Sequence, residues 1–286
     1  MKKHSGELGW NINRTIRSQG AATTISRKQQ ICLDETSDCH CISRCVHRAF
    51  LCGEDKLTGH SYEHRRSWIV EKLKQLDRVF SISICAYAVM HNHSHTLHKV
   101  DRETALKWSV DEVISRWTKL YKPSPIVDRY LSGMKLTKAE LEVVDEDAEK
   151  WRHRLYDISW FMRNLNESIA RQANQEDGCT GAFWEGRFKS QALLDDAAIL
   201  TCMSYVDLNP IRAKLADRSE ESDFTSVQDR IRYYKKQLER TGLDSVKNYN
   251  TVIGRKEKIK QYSQAIRRKW FCSSGYTLQI YQTATI

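Results

Sequence analysis

The stretch Ser81-Ile-Ser-Ile-Cys-Ala-Tyr-Ala-Val-Met-His-Asn-His93-Ser-His95-Thr-Leu-His98 decides how this chain is read. Its first nine residues form an apolar, strand-like run, and four histidines then fall within eight positions, at 91, 93, 95 and 98. In an extended strand, side chains two apart point to the same face. His93 and His95 therefore present two imidazoles together, half of a divalent-metal site, and His91 shares that face as a third candidate. The plainer alternative is a wet strand end whose histidines bind nothing. Residues well downstream bear on that choice.

Following Asp195 and Asp196, either of which can cap a helix, the spacing predicts a helix to about Asn209, with Pro210 ending it. Tyr205 and Asn209 are four apart and so share one face, which Thr201 and Ala198 extend. Ile199, Met203 and Val206 lie on a different, more apolar side. A tyrosine on a small, polar face is placed to reach a substrate, although most tyrosines are half-buried amphipathic packers. Just upstream, Phe183 to Ala192 alternates as a strand. Trp184, Phe188 and Ala192 fall on one side, and Glu185, Arg187, Lys189 and Gln191 on the other.

Working outward, residues 39–51 read as a first strand with Arg44, His47 and Arg48 near its end. Residues 64–78 fit a helix with Trp68, Ile69, Leu73 and Leu76 on one stripe. Ser109-Val-Asp-Glu112 is a capping box opening a helix through Trp117 and Leu120. Residues 128–150 turn acidic and read as a solvated insertion. Ile158, Phe161, Met162, Leu165 and Ile169 recur at three and four, the pattern of a core helix. Thr225-Ser-Val-Gln228 is a further capping box. The expected organisation is a disordered extension at 1–26, a domain at 27–240 with a helical, acidic insertion at about 101–175, and a basic, weakly patterned tail at 241–286.

Bulk properties narrow the partner class. The formal net charge of +10 favours a polyanion, because Lys and Arg along a phosphate backbone release condensed counterions. The basic N-terminus lacks an apolar core, which argues against a secretory signal. No apolar run approaches the roughly 18 residues of a membrane span, so no membrane partner is expected. The nine cysteines then read as reduced thiols of a cytoplasmic protein. Cys39, Cys41, Cys45 and Cys52 with His40 invite a zinc reading, but they lack a Cys-x-x-Cys pair and Cys39-His-Cys41 alternates as a strand would, which favours buried thiols.

Three segments carry a resemblance. Asn92-His-Ser-His95, Phe183-Trp-Glu-Gly-Arg-Phe-Lys-Ser-Gln191 and Tyr205-Val-Asp-Leu-Asn-Pro-Ile-Arg-Ala213 resemble the single-tyrosine HUH transposases, in that family's motif order. These are the insertion-sequence transposases and the REP-associated tyrosine transposases. The likeness spans about residues 27–232, and the long insertion with Trp160-Phe-Met-Arg-Asn-Leu-Asn-Glu167 resembles a larger bacterial branch. The resemblance implies a ferredoxin-like α+β fold: an antiparallel sheet with helices on one face, the histidine strand central, and a helical C-terminal part.

It also implies roles. His93 and His95 become the metal pair, Asn209 a third, polar metal-directed residue, and Tyr205 the nucleophile. By their own chemistry, the polar face of Arg187, Lys189 and Gln191 with the later Arg212 can grip a single strand, and Trp184 either stacks on a base or packs in the core. A free phenol, with a pKa of about 10, is a poor nucleophile at neutral pH. A divalent cation polarising the phosphate lowers that barrier, and a nitrogen and oxygen donor set suits Mg²⁺ or Mn²⁺. The implied reaction cleaves and rejoins single-stranded or hairpin DNA through a 5′-phosphotyrosine. It can be carried out by a monomer or by a homodimer that exchanges the tyrosine helix.

Two departures stand out. Ser94 replaces a large apolar residue expected to point into the core, and Thr96-Leu-His-Lys99 is more polar than the family's continuation. Both fall on the metal-holding strand and suggest impaired catalysis. The alternative reading is therefore a catalytically decayed protein that still binds hairpin DNA or RNA. A two-histidine phosphoesterase would need a second His-x-Thr/Ser motif, and no convincing copy is present.

Overall fold

The chain enters a sheet with β1 (Asp38–Arg44), crosses it with α1 (Arg65–Val79) and returns as a hairpin of β2 (Ile82–Val89) and β3 (His93–Val100). Five helices follow: α2 (Arg102–Lys107), α3 (Val110–Trp117), α4 (Pro125–Leu131), α5 (Lys138–Leu155) and α6 (Ile158–Glu176). The edge strand β4 (Lys189–Leu193), α7 (Asp196–Arg212), a 3₁₀ turn and α8 (Ser226–Arg240) come next and end the described residues. This computed structural model describes residues 36–46, 51–55 and 58–240. The expected N-terminal extension, the basic tail, His47 and Arg48 lie outside the described residues.

The strands order as β2-β3-β1-β4, each neighbouring pair antiparallel, so the histidine strand is central as expected. The fold is α+β in the ferredoxin-like manner, with the helices of residues 102–176 set between β3 and β4.

Register assigns the two faces of the sheet. Cys39 opposes His98, Cys41 opposes Thr96 and Ser43 opposes Ser94. Directly opposed residues share a face, and these look toward α6. Thr96 Oγ1 lies 3.9 Å from Met162 Sδ, Asn166 donates to Ser43 Oγ at 2.8 Å, and Phe161 meets His98 edge-on. Ile69, Leu73 and Leu76 of α1 join Phe161, Met162 and Leu165 in the main core, all fully buried. Each such side chain contributes about 1.5–3 kcal/mol. The expected helical layer is thus α1 with α6. Across the sheet α7 covers part of the other face, seating Val206 on Ala86, Ala88 and Leu97.

The acidic stretch is more structured than its charge suggests. Thr137 and Glu140 form a complete capping box that opens α5. Most of the acidic side chains face outward, while Val144, Ala148, Trp151 and Leu155 form a buried stripe. The box expected at Ser109 is half made: Ser109 accepts from Glu112 N–H, but the Glu112 carboxylate pairs with Arg116 at 2.6 Å.

Three expected boundaries move. The first strand, expected over 39–51, ends at Arg44 as β1. The strand over Phe183–Ala192 shortens to β4, because Trp184 Nε1 donates to the Asn166 carbonyl at 2.8 Å and draws the preceding segment onto α6. Pro210 does not end α7, which runs on to Arg212. The proline sits in the last turn, where one lost backbone hydrogen bond leaves little helix to break.

Helix α8 anchors α7. Ser226 Oγ accepts from Tyr87 N–H at 2.9 Å and donates to Asp207 at 3.0 Å, while Arg230 forms an ion pair with Asp207 and reaches the Cys85 carbonyl.

Candidate active site

The hairpin turn sets where the histidine strand begins. Met90 N–H donates to the His93 carbonyl, and the His91 and Asn92 carbonyls are held by Cys52 N–H and Cys45 N–H. β3 therefore starts at His93, and the exposed His91 sits in a separate cleft with Glu63 and Arg66. The face shared by His91, His93 and His95 in the sequence reading is reduced to the last two. Their ring centroids are 4.9 Å apart.

Each has one nitrogen engaged. His93 Nδ1 lies 2.6 Å from Asn92 Oδ1, an acceptor, so this nitrogen carries the proton. His95 Nδ1 lies 3.0 Å from Nε2 of His40, a β1 residue on the same face. His95 Nε2 is buried with no hydrogen-bond partner.

Tyr205 meets this group from α7. Its ring lies 5.6 Å from that of His95 and 6.4 Å from that of His40, edge-on to both, and the residue is 38% exposed. One turn on, Asn209 Nδ2 is a second buried polar atom without a partner. Of the expected set, His93, His95 and Tyr205 come together, and Asn209 lies one turn beyond Tyr205 on α7. Asp207 faces away into its pairing with Arg230 and Ser226, fixing the rotation of α7 that presents Tyr205.

The imidazoles are neutral at pH 7. Burial lowers His40 to about 4. Burial and then Arg44 lower His93 to about 4. Burial, followed by His40, His93 and Arg44, lowers His95 to about 3. Neutral rings leave lone pairs for a ligand. Among the described residues, no three His, Cys, Asp or Glu side chains are gathered to hold a metal ion. The donors here are two imidazoles and an amide, which can present its oxygen after a half-turn. The orphaned Nε2 of His95 and amide of Asn209 fit a cation that completes its shell from water or a phosphate.

The expected DNA-binding residues divide. Lys189 opposes Ile42, which in turn opposes His95, and Gln191 opposes His40. Both are exposed on the histidine face. The Arg212 guanidinium carbon lies 5.4 Å from the Tyr205 ring centroid. Arg187 does not join them; it lines a cleft with Trp160, Arg163 and Asn166 on the α6 side. Its expected place rested on alternation through a strand that starts only at Lys189. Trp184 is a half-buried packer on the main core rather than an open stacking platform.

Two residues join the site without a spacing signal. His40 arrives through the β1/β3 register, and the exposed Arg44 lies directly opposite His93. Only the alternation of Cys39, His40 and Cys41 hinted that His40 and the thiols part company; Cys39 and Cys41 are buried on the α6 side.

No family model matches the chain, and no curated protein matches it significantly. Among solved structures, that of a REP-associated tyrosine transposase bound to a REP hairpin is similar at 12% identity and a TM-score of 0.40. The likeness covers 73% of this chain and 86% of that one. Among the described residues, no helix is long and apolar enough to cross a membrane.

Proposed function

We propose that this chain is a transposase-type, metal-dependent nuclease that nicks and rejoins single-stranded or hairpin DNA, with Tyr205 as its nucleophile. One observation carries the reading. A partly exposed tyrosine stands 5.6 Å from a neutral histidine whose outer nitrogen is buried and unpaired. Buried polar atoms are ordinarily satisfied, and an orphaned one beside an accessible phenol favours a ligand over a packing defect.

In the proposed reaction the Tyr205 hydroxyl gives up its proton and its oxygen attacks phosphorus. The bond from phosphorus to the 3′ oxygen breaks, and that oxygen takes a proton. DNA is then joined through its 5′ phosphate to the tyrosine, and a free 3′-OH remains. Attack by another 3′-OH reverses the step, so no nucleotide cofactor is required. Bound through His93, His95 and Asn209, Mg²⁺ or Mn²⁺ would polarise the phosphate and neutralise its charge.

The remaining residues position and attract. Arg212 beside the Tyr205 ring, with Lys189 and Arg44 on the same face, supplies positive charge for phosphates. The tyrosine serves the histidines of its own chain, supported by the hold of Asp207 and Arg230 on α7. This reading places the protein with cytoplasmic DNA.

Ser94, buried on the α6 side opposite Ser43, keeps open the alternative of a binding protein on the same fold. A denaturing gel separates the two. The protein is incubated with Mn²⁺ and hairpin oligonucleotides from the flanks of its own gene, with Tyr205→Phe and a chelator as controls. A covalent adduct lost in both controls is the expected result. Binding with no adduct would replace the nuclease by a decayed enzyme that holds DNA or RNA.

A further inference from the structure

We propose that His40 is a positioning residue that holds His95 in the tautomer with its proton on Nδ1 and a bare Nε2 turned to the Tyr205 side. The metal role of that Nε2 rests on the function proposed above, whereas the tautomer does not.

The geometry is that of an in-plane hydrogen bond between two imidazoles. His40 Nε2 and His95 Nδ1 are 3.0 Å apart, and the ring planes differ by 12°. A neutral imidazole has one donor and one acceptor nitrogen, so the contact can be made in two ways. If His40 donates, His95 carries its own proton on Nε2, and a buried N–H is left with no acceptor. If His95 donates, its Nε2 is an acceptor. The second arrangement matches the surroundings, because Tyr205, whose ring meets that of His95 edge-on, brings an O–H to that side.

His40 has no acidic residue across either strand pairing. On β1 it opposes Leu97 and Gln191, while Cys39 and Cys41 beside it point to the other side of the sheet. His93 has an equivalent support, the Asn92 side chain at Nδ1. Both histidines are thus engaged from the Nδ1 side and open at Nε2. Metal-binding histidines are commonly oriented by such a bond from their second nitrogen, and losing the partner weakens metal binding by roughly 10- to 100-fold.

The test uses the full chain labelled with ¹⁵N, free of metal and DNA. Two-bond ¹H–¹⁵N spectra identify the protonated nitrogen of each histidine, and Mn²⁺ titration measures affinity. The proposal expects His95 protonated on Nδ1. His40→Leu should lose that single tautomer and bind Mn²⁺ roughly 10- to 100-fold more weakly. His40→Gln keeps an acceptor in its carboxamide oxygen and should restore both properties. A wild-type His95 protonated on Nε2 would overturn the proposal, whether or not the leucine variant folds. So would an unchanged tautomer and Mn²⁺ affinity in His40→Leu. Because the tautomer is read without DNA, a chain that shows it yet forms no adduct refutes the nuclease alone.

Discussion

His95 and His98 stand three residues apart on β3 and face opposite sides of one sheet. Both are buried, both are held neutral, and both have ring nitrogens without hydrogen-bond partners. Their surroundings differ. His98 is 0% exposed, lies against Phe161, and has neither nitrogen paired. His95 has one nitrogen tied to His40, while the other is unpaired on a face that holds an exposed tyrosine. An orphaned imidazole is therefore not a site by itself. The neighbouring accessible phenol is what supports the proposed role of His95, whereas His98 is a cost carried by the core.

The largest test removes what holds the site face together. Asp207→Ala leaves Arg230 buried and uncompensated between α7, α8 and β2, and should destabilise the protein by about 3–5 kcal/mol in urea unfolding. An unchanged midpoint would show that α7 is held by its apolar contacts alone.

Next comes the comparison itself. His95→Ala removes a proposed ligand and should weaken Mn²⁺ binding and adduct formation by more than the roughly 100-fold upper bound for a supporting partner, with little change in stability. His98→Leu should do the reverse, leaving adduct formation intact and stabilising the fold by about 1–2 kcal/mol, because two unpaired nitrogens leave the core. Loss of adduct in the leucine variant would erase the distinction between the two faces.

Acid sharpens the contrast. Burial, with a smaller effect from His40, holds His98 down at about 3, whereas an unfolded chain takes up that proton near pH 6.5. The unfolded state therefore binds more protons between these values. His98's contribution is intact above pH 6.5 and is lost as pH falls toward 3, with a slope of at most about 1.4 kcal/mol per pH unit. Urea unfolding between pH 7 and pH 4 should show a shallower pH dependence in His98→Leu than in the wild type. Equal slopes would mean that His98 does not stay neutral in the folded protein.

How much of this was legible follows from the range of each signal. His93 with His95 is an i, i+2 relation on one strand, and Tyr205 with Asn209 an i, i+4 relation on one helix. Local periodicity therefore exposes both pairs. His40 escaped because its approach depends on β1 pairing with β3 in a register that spacing does not specify. Arg187 was misplaced because alternation continued through a segment that Trp184 pulls onto α6. The same alternation was sound for Ser94, which does point to the core side, opposite Ser43.

The smallest effect concerns that serine. Ser94→Val adds apolar volume beneath the histidine strand and should raise stability by less than about 1 kcal/mol. If loose packing limits catalysis, adduct yield should rise with it. A binding protein would gain stability and still form no adduct.

The central claim, that Tyr205 is the nucleophile served by His93 and His95, is met most directly by peptide mapping after reaction. The chain is incubated with Mn²⁺ and its hairpin oligonucleotides, digested with protease and nuclease, and searched by mass spectrometry for a nucleotide remnant. The expected result is a 5′-nucleotide on Tyr205 that is absent from the His95→Ala variant. A remnant on any other residue, or cleaved DNA with an unmodified Tyr205, would contradict it.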